Sequence, residues 1–165
     1  MATAPTSTTF QPVFRRVQQQ DRHDDTFAVI AILSGKTLDS VTRQAETLGL
    51  PKTGPYYPYI DGDLIAKLLA AEGLVATVWK ECTDYKDLPD VAIVMLDYSV
   101  DWEVGRCAVF HRMKSADGKT VQPYVVDPYP HADSRLHTRV GTAELADLTP
   151  SWYIGVTQMQ KPAAK

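Results

Sequence analysis

Two cysteines, Cys82 and Cys107, are all that this 165-residue chain contains, too few for a disulfide framework to stand in for a hydrophobic core. Charge of one sign is also lacking. Seventeen Lys and Arg against twenty Asp and Glu leave a net charge of −3, so the basic face that nucleic-acid binding needs is not expected. Long apolar runs are missing. The longest, Phe27-Ala28-Val29-Ile30-Ala31-Ile32-Leu33, falls far below the ~20 residues that span a bilayer. Met1 to Thr9 is small and polar, without the charged-then-apolar pattern of a secretory signal. That points to the cytoplasm, or to a place inside a virion or secretion assembly. Metal ligands are thin: His131, Asp133 and His137 share a polar stretch, but their spacing matches no metal motif. Neither a metal nor a cofactor is expected.

What is present suits one domain. With 44% apolar residues over this length, the chain can close a single core and is short for two. Residues 1–16 read as an arm, with Phe10, Val13 and Phe14 as docking points on the domain's own groove or on a neighbour. The alternative is a frayed terminus. Residues 17–160 form the domain, and 161–165 a short tail.

Helical signals come first. Asp24 and Asp25 put negative charge, and side chains suited to capping, at the start of the apolar run. A helix apolar on every side belongs in the middle of a domain. Ser34-Gly35-Lys36 ends it. Leu38, Val41, Ala45 and Leu48 recur at helical spacing until Gly49 and Pro51. Asp61 or Asp63 caps a third helix carrying Leu64, Ile65, Leu68 and Leu69, closed by Gly73. The period then changes. Val75–Trp79, Val91–Leu96, Cys107–Met113, Val121–Val126 and Trp152–Met159 are short runs rich in β-branched and aromatic residues. Asp117-Gly118, a pair favoured in tight hairpin turns, separates two of them. Helices followed by antiparallel strands define an α+β domain.

Chemistry-bearing residues fall at three places. Gln19 stands six residues before Asp25, where the apolar helix begins. Gly105-Arg106-Cys107-Ala108-Val109-Phe110 lies on a strand, and Val125-Val126-Asp127-Pro128 closes another. In this order and spacing, with the final Trp152-Tyr153-Ile154-Gly155-Val156 strand, residues 17–158 resemble the papain-like cysteine peptidase superfamily. The branch they resemble is that of the bacteriocin-processing, double-glycine leader peptidases. The resemblance implies a papain-like fold, with N-terminal helices packed on a C-terminal antiparallel sheet. It also implies roles. Gln19 takes the position of the oxyanion donor and Asp127 that of the carboxylate orienting a histidine. Asp25 stands where the nucleophilic cysteine belongs. The histidine position falls on Cys107 or Arg106, and Cys-Ala-Val-Phe fits the histidine-x-apolar-apolar run better. Thiolate attack assisted by an imidazole base needs the two groups that are replaced. The site therefore reads as degenerate.

Relocated roles find little support. His111 lies four residues beyond Cys107 on the same strand, roughly 13 Å away at the strand rise. His23 precedes the helix in a loop, and Cys82 sits near Glu81 and Asp84, whose charge opposes a thiolate. Two ion pairs are open at the degenerate site, Asp25–Arg106 or Asp127–Arg106. Asp25, Cys107 and Asp127 are expected to converge at one spot. The leading expectation is an inactive peptidase homologue that binds a protein or extended peptide, for instance in a phage or secretion apparatus. Arg106 and the aromatic loop residues Tyr56, Tyr57 and Tyr59 are its binding candidates. The rival is a hydrolase with relocated or substituted catalytic groups, including one that uses Asp25 and Asp127 as an acid/base pair.

Overall fold

The computed structural model describes residues 10–53 and 60–160. The all-apolar run forms α1 (Asp25–Ser34). Its residues Phe27 to Leu33 are all buried, and each large side chain removed from water contributes about 1.5–3 kcal/mol. Gly35 ends the helix in the left-handed region at φ +69°, its amide bonded to Ala31 O, the usual glycine stop. Helices α2 (Leu38–Thr47) and α3 (Gly62–Ala71) bury Leu38, Val41 and Ala45, and Leu64, Ile65, Leu68 and Leu69. Thr37 caps α2 through Ser40 N, and Asp61 caps α3 through Leu64 N.

The strands are β1 (Leu74–Ala76), β2 (Lys80–Glu81), β3 (Val91–Ser99), β4 (Val104–Lys114), β5 (Val121–Val126), β6 (Thr138–Val140) and β7 (Trp152–Gln158). They form one antiparallel sheet in the order β1-β7-β3-β4-β5-β6, with β2 also paired to β7. The expected strand over 75–79 is split. Thr77 turns its hydroxyl into the sheet to accept from Gly155 N, which separates β1 from β2. Asp117-Gly118 does lie in the β4–β5 hairpin, but the connection runs over residues 115–120 and closes through Ser115 N to Thr120 O. It is longer than a two-residue turn. Neither β6 nor the four-residue helix α4 (Thr142–Leu145) was among the expected elements.

Alternation along the strands divides the core in two. Cys107, Val109, Tyr124, Val126, Ile93 and Ile154 face the helices. Ala108, Phe110, Val125, Ala92, Val94 and Leu96 face the other way, toward Leu145, Leu148 and the segment around Tyr85 and Leu88. Residues 10–17 cross the helix-side face. Phe10, Phe14 and Val17 pack on that core, and Val13 N and Phe14 N both donate to Tyr124 Oη at 3.0 and 3.2 Å. Residues 10–16 thus lie on their own domain.

Candidate functional site

The expected site residues gather at one end of the sheet, where α1 begins, β4 enters and β5 ends. Neither aspartate at the start of α1 caps it as expected. Asp24 accepts from Gln20 N and Asp21 N in the preceding turn and makes no side-chain cap. Asp25 reaches across to the sheet, where its Oδ2 accepts the Cys107 amide at 2.7 Å. A carboxylate at the head of the central helix is therefore tied to the strand that faces it. Burial raises the pKa of Asp25, and the Cys107 and Thr26 amides work against that shift.

Cys107 is the thiol beside Asp25. It is buried, and its Sγ lies 3.9 Å from Thr26 Oγ1. Burial first, and then the negative charge of Asp25, pushes the thiol well above the ordinary cysteine range. A thiol in such surroundings stays protonated and is a poor nucleophile. Cys82 follows the same logic. Its thiol is raised to about 11, by burial and then by Asp87 rather than by the expected Glu81 and Asp84.

Arg106 precedes Cys107 on β4, so its side chain leaves the opposite face of the sheet. There it meets Asp127, which ends β5 and is 2% exposed. Arg106 Nη1 donates to Asp127 Oδ2, while Oδ1 accepts from Tyr129 N at 3.0 Å. Arg106 Nε donates to Asp97 Oδ2 at 2.5 Å. Burial opposes the guanidinium charge, but Asp127 and Asp97 outweigh it and raise the pKa of Arg106. The Tyr129 ring lies 5.6 Å from the guanidinium carbon. Asp97 was not anticipated. It is turned toward Arg106 by a register shift between Leu96 and Ser99, with its backbone at φ +51°. Gly105 makes room for the bulge, since a Cβ there would stand 2.6 Å from Leu96 O. Bulges of this kind re-aim side chains, and no sequence period announces them.

The expected convergence of Asp25, Cys107 and Asp127 is thus corrected. Asp25 meets Cys107 on the helix side, Asp127 meets Arg106 on the other, and Asp25–Arg106 is not the pair that forms. The two carboxylate contacts are thus divided between consecutive strand residues that face opposite ways.

Gln19 is 3% exposed and held by its amide to Pro128 O at 3.0 Å. Its side-chain Nε2 donates to Asp21 O at 2.9 Å, and Oε1 is buried with no protein partner. Arg16 fixes the neighbouring loop through Asp127 O at 2.6 Å and Tyr129 O at 2.9 Å. The histidines are occupied elsewhere. His111 Nδ1 is 2.9 Å from Tyr124 Oη, with Phe14 edge-on to its ring. His137 Nε2 contacts Ala132 O, His131 meets the Tyr129 ring, and Asp133 pairs with Arg135. The backbone of His23 donates to Asp21 Oδ1. Tyr56, Tyr57 and Tyr59 lie outside the described residues.

This architecture is the α+β papain-like fold. Among solved structures, the chain is similar to a double glycine motif protease from an AMS/PCAT transporter, crystallised in complex with its leader peptide. That match has a TM-score of 0.55 and 11% identity, covering 92% of this chain and 96% of the other. It is also similar to the N-terminal peptidase C39-like domain of a toxin secretion ATP-binding protein from Vibrio parahaemolyticus, at a TM-score of 0.48 and 14% identity, covering 86% and 99%. No family model and no curated protein sequence matches. The likeness lies in the fold. Among the described residues, no helix is long and apolar enough to cross a membrane.

Proposed function

We propose that this chain is a catalytically inactive papain-like domain that binds an extended peptide or a protein segment. The observation that carries the proposal is the division of the site. The carboxylate in the nucleophile's place is engaged by a backbone amide, and the orienting carboxylate is engaged by a guanidinium on the opposite face. The thiol beside Asp25 is buried and held in its neutral form. Acyl transfer needs an activated nucleophile with a base in hydrogen-bond reach, and these contacts supply neither.

Retained binding has its own support. The solved double glycine motif protease holds a leader peptide. At the same end of this sheet, the β3–β4 hairpin exposes Val100 at 80% and Trp102 at 81%, and the half-buried Tyr98 of β3 lies edge-on to Trp152. Neighbouring exposed apolar side chains that include a tryptophan suit a surface for another chain. Arg106 with Tyr129, and the aromatic loop Tyr56, Tyr57 and Tyr59, are the remaining contact candidates.

The test uses a fluorescent peptide that carries a double-glycine motif. The expected outcome is saturable binding seen by anisotropy, with the peptide recovered intact by mass spectrometry and Cys107 unlabelled by iodoacetamide at neutral pH. Cleavage after the second glycine, blocked by a thiol reagent, sinks the proposal in favour of a hydrolase.

A further inference from the structure

The sheet face turned away from the helices carries a cavity of about 480 Å3, within the size range of small-molecule sites. Tyr85, half-buried, lines it, and its ring stacks at 5.3 Å on Phe110, which is fully buried. Leu145 of α4, Ala146 just after it and Pro150 add to the apolar lining, and Lys86 and Arg112 stand among the lining residues. Apolar lining with a few placed polar groups is the usual composition of a ligand site.

Arg112 is the informative residue. Its guanidinium carbon lies 5.4 Å from the Phe110 ring centre. Nη1 donates to Leu88 O at 2.9 Å and to Asp90 Oδ1 at 3.2 Å, and Nη2 donates to Tyr85 O at 2.9 Å. A guanidinium has five N–H groups, so Nε–H and one Nη2–H have no acceptor among the described residues. Two adjacent donors on a planar fork match the two oxygens of a carboxylate. Two backbone carbonyls and a carboxylate already fix the side chain, so little freedom is lost when a ligand binds. The nearby charges are mixed. Lys86 adds a positive charge. Asp84 is a negative one whose carboxylate accepts the Lys86 amide, and Asp90 is shared between Arg112 and Lys114.

We propose that this cavity binds a small organic acid with an apolar or aromatic body, the body lying against Tyr85, Leu145 and Pro150 and the carboxylate on the open donors of Arg112, with Lys86 assisting. The peptide-binding proposal uses none of the residues that line this cavity, so the two stand or fall separately.

The experiment titrates the full chain with 3-phenylpropionate and, in parallel, with its neutral amide, followed by protein-observed NMR. The acid is expected to saturate with millimolar affinity or better, the range for a ligand of this size. The amide is expected to bind at least tenfold more weakly. Ala146→Trp, at an exposed lining position, leaves Arg112 itself unchanged and is expected to fill the space and abolish the shifts. Lys86→Gln weakens binding several-fold. Should Ala146→Trp misfold, Thr142→Trp provides the same block from an exposed lining position. Absence of saturation by the acid overturns the proposal. So does equal binding of acid and amide, or an unchanged titration in a folded cavity-filling variant.

Discussion

Each face of the sheet holds a carboxylate near the same end, and the two are managed in opposite ways. On the helix side, Asp25 is enclosed with amide donors and a neutral thiol, and burial raises its pKa. On the far side, Asp127 is more completely buried, yet it receives a guanidinium and a backbone amide. Both carboxylates are withdrawn from water, but one has a cation beside it and the other only neutral donors. An uncompensated ion in a low-dielectric interior is far costlier than a paired one, so the two are held at different cost.

The strongest way to break the contrast is to remove the countercharge. Arg106→Met leaves Asp127 buried without it, and a stability loss of about 3–5 kcal/mol is expected by urea denaturation. A loss below ~1 kcal/mol would mean that amides alone suffice on the far face as well. A smaller effect is expected from Tyr124→Phe on the helix side. That change deprives Val13 N and Phe14 N of their shared acceptor and should cost about 1–3 kcal/mol. Faster hydrogen exchange at those two amides would locate the loss in the arm.

Asp25→Asn sharpens the comparison through pH. A group whose folded pKa is raised holds its proton more tightly in the native state, so its ionisation subtracts stability as pH rises from the unfolded value, ~3.9 for Asp. Above the folded value the cost is fully present, and there the Asn variant is expected to show a higher urea midpoint than the parent. The two midpoints should converge below pH ~4. A variant less stable at every pH would mean that the ionised carboxylate stabilises the Cys107 contact after all. The smallest stability effect belongs to Trp102→Ser on the exposed hairpin, within ~0.5 kcal/mol, while binding of the double-glycine peptide falls several-fold. Unchanged binding would remove the hairpin from the proposed surface.

Much of the fold was legible in the chain. The apolar run could only be a central helix, Gly35 and Gly73 marked stops, and β-branched runs marked five strand regions. Thr138–Val140 escaped notice because three residues carry no measurable period, and α4 is one turn long. The site was legible in its parts and not in its arrangement. Gln19, Asp25, Arg106, Cys107 and Asp127 do lie at one end of the sheet, but the opposite facing of Arg106 and Cys107 follows from registers set by neighbouring strands. Asp97 could not be read in advance, since a bulge rather than a periodic position turns it toward Arg106. The Phe110–Arg112 cavity is assembled from segments separated along the chain, and local patterns do not encode such distances.

The amino-acid order on its own set the class of architecture and the residue types at positions 19, 25, 106, 107 and 127, because hydrophobic period and residue identity are local properties. Which acid met which partner was left to the packed molecule. Pairing depends on strand alternation, on a bulge and on the closure of helices over one face, all set by packing between segments far apart in the chain.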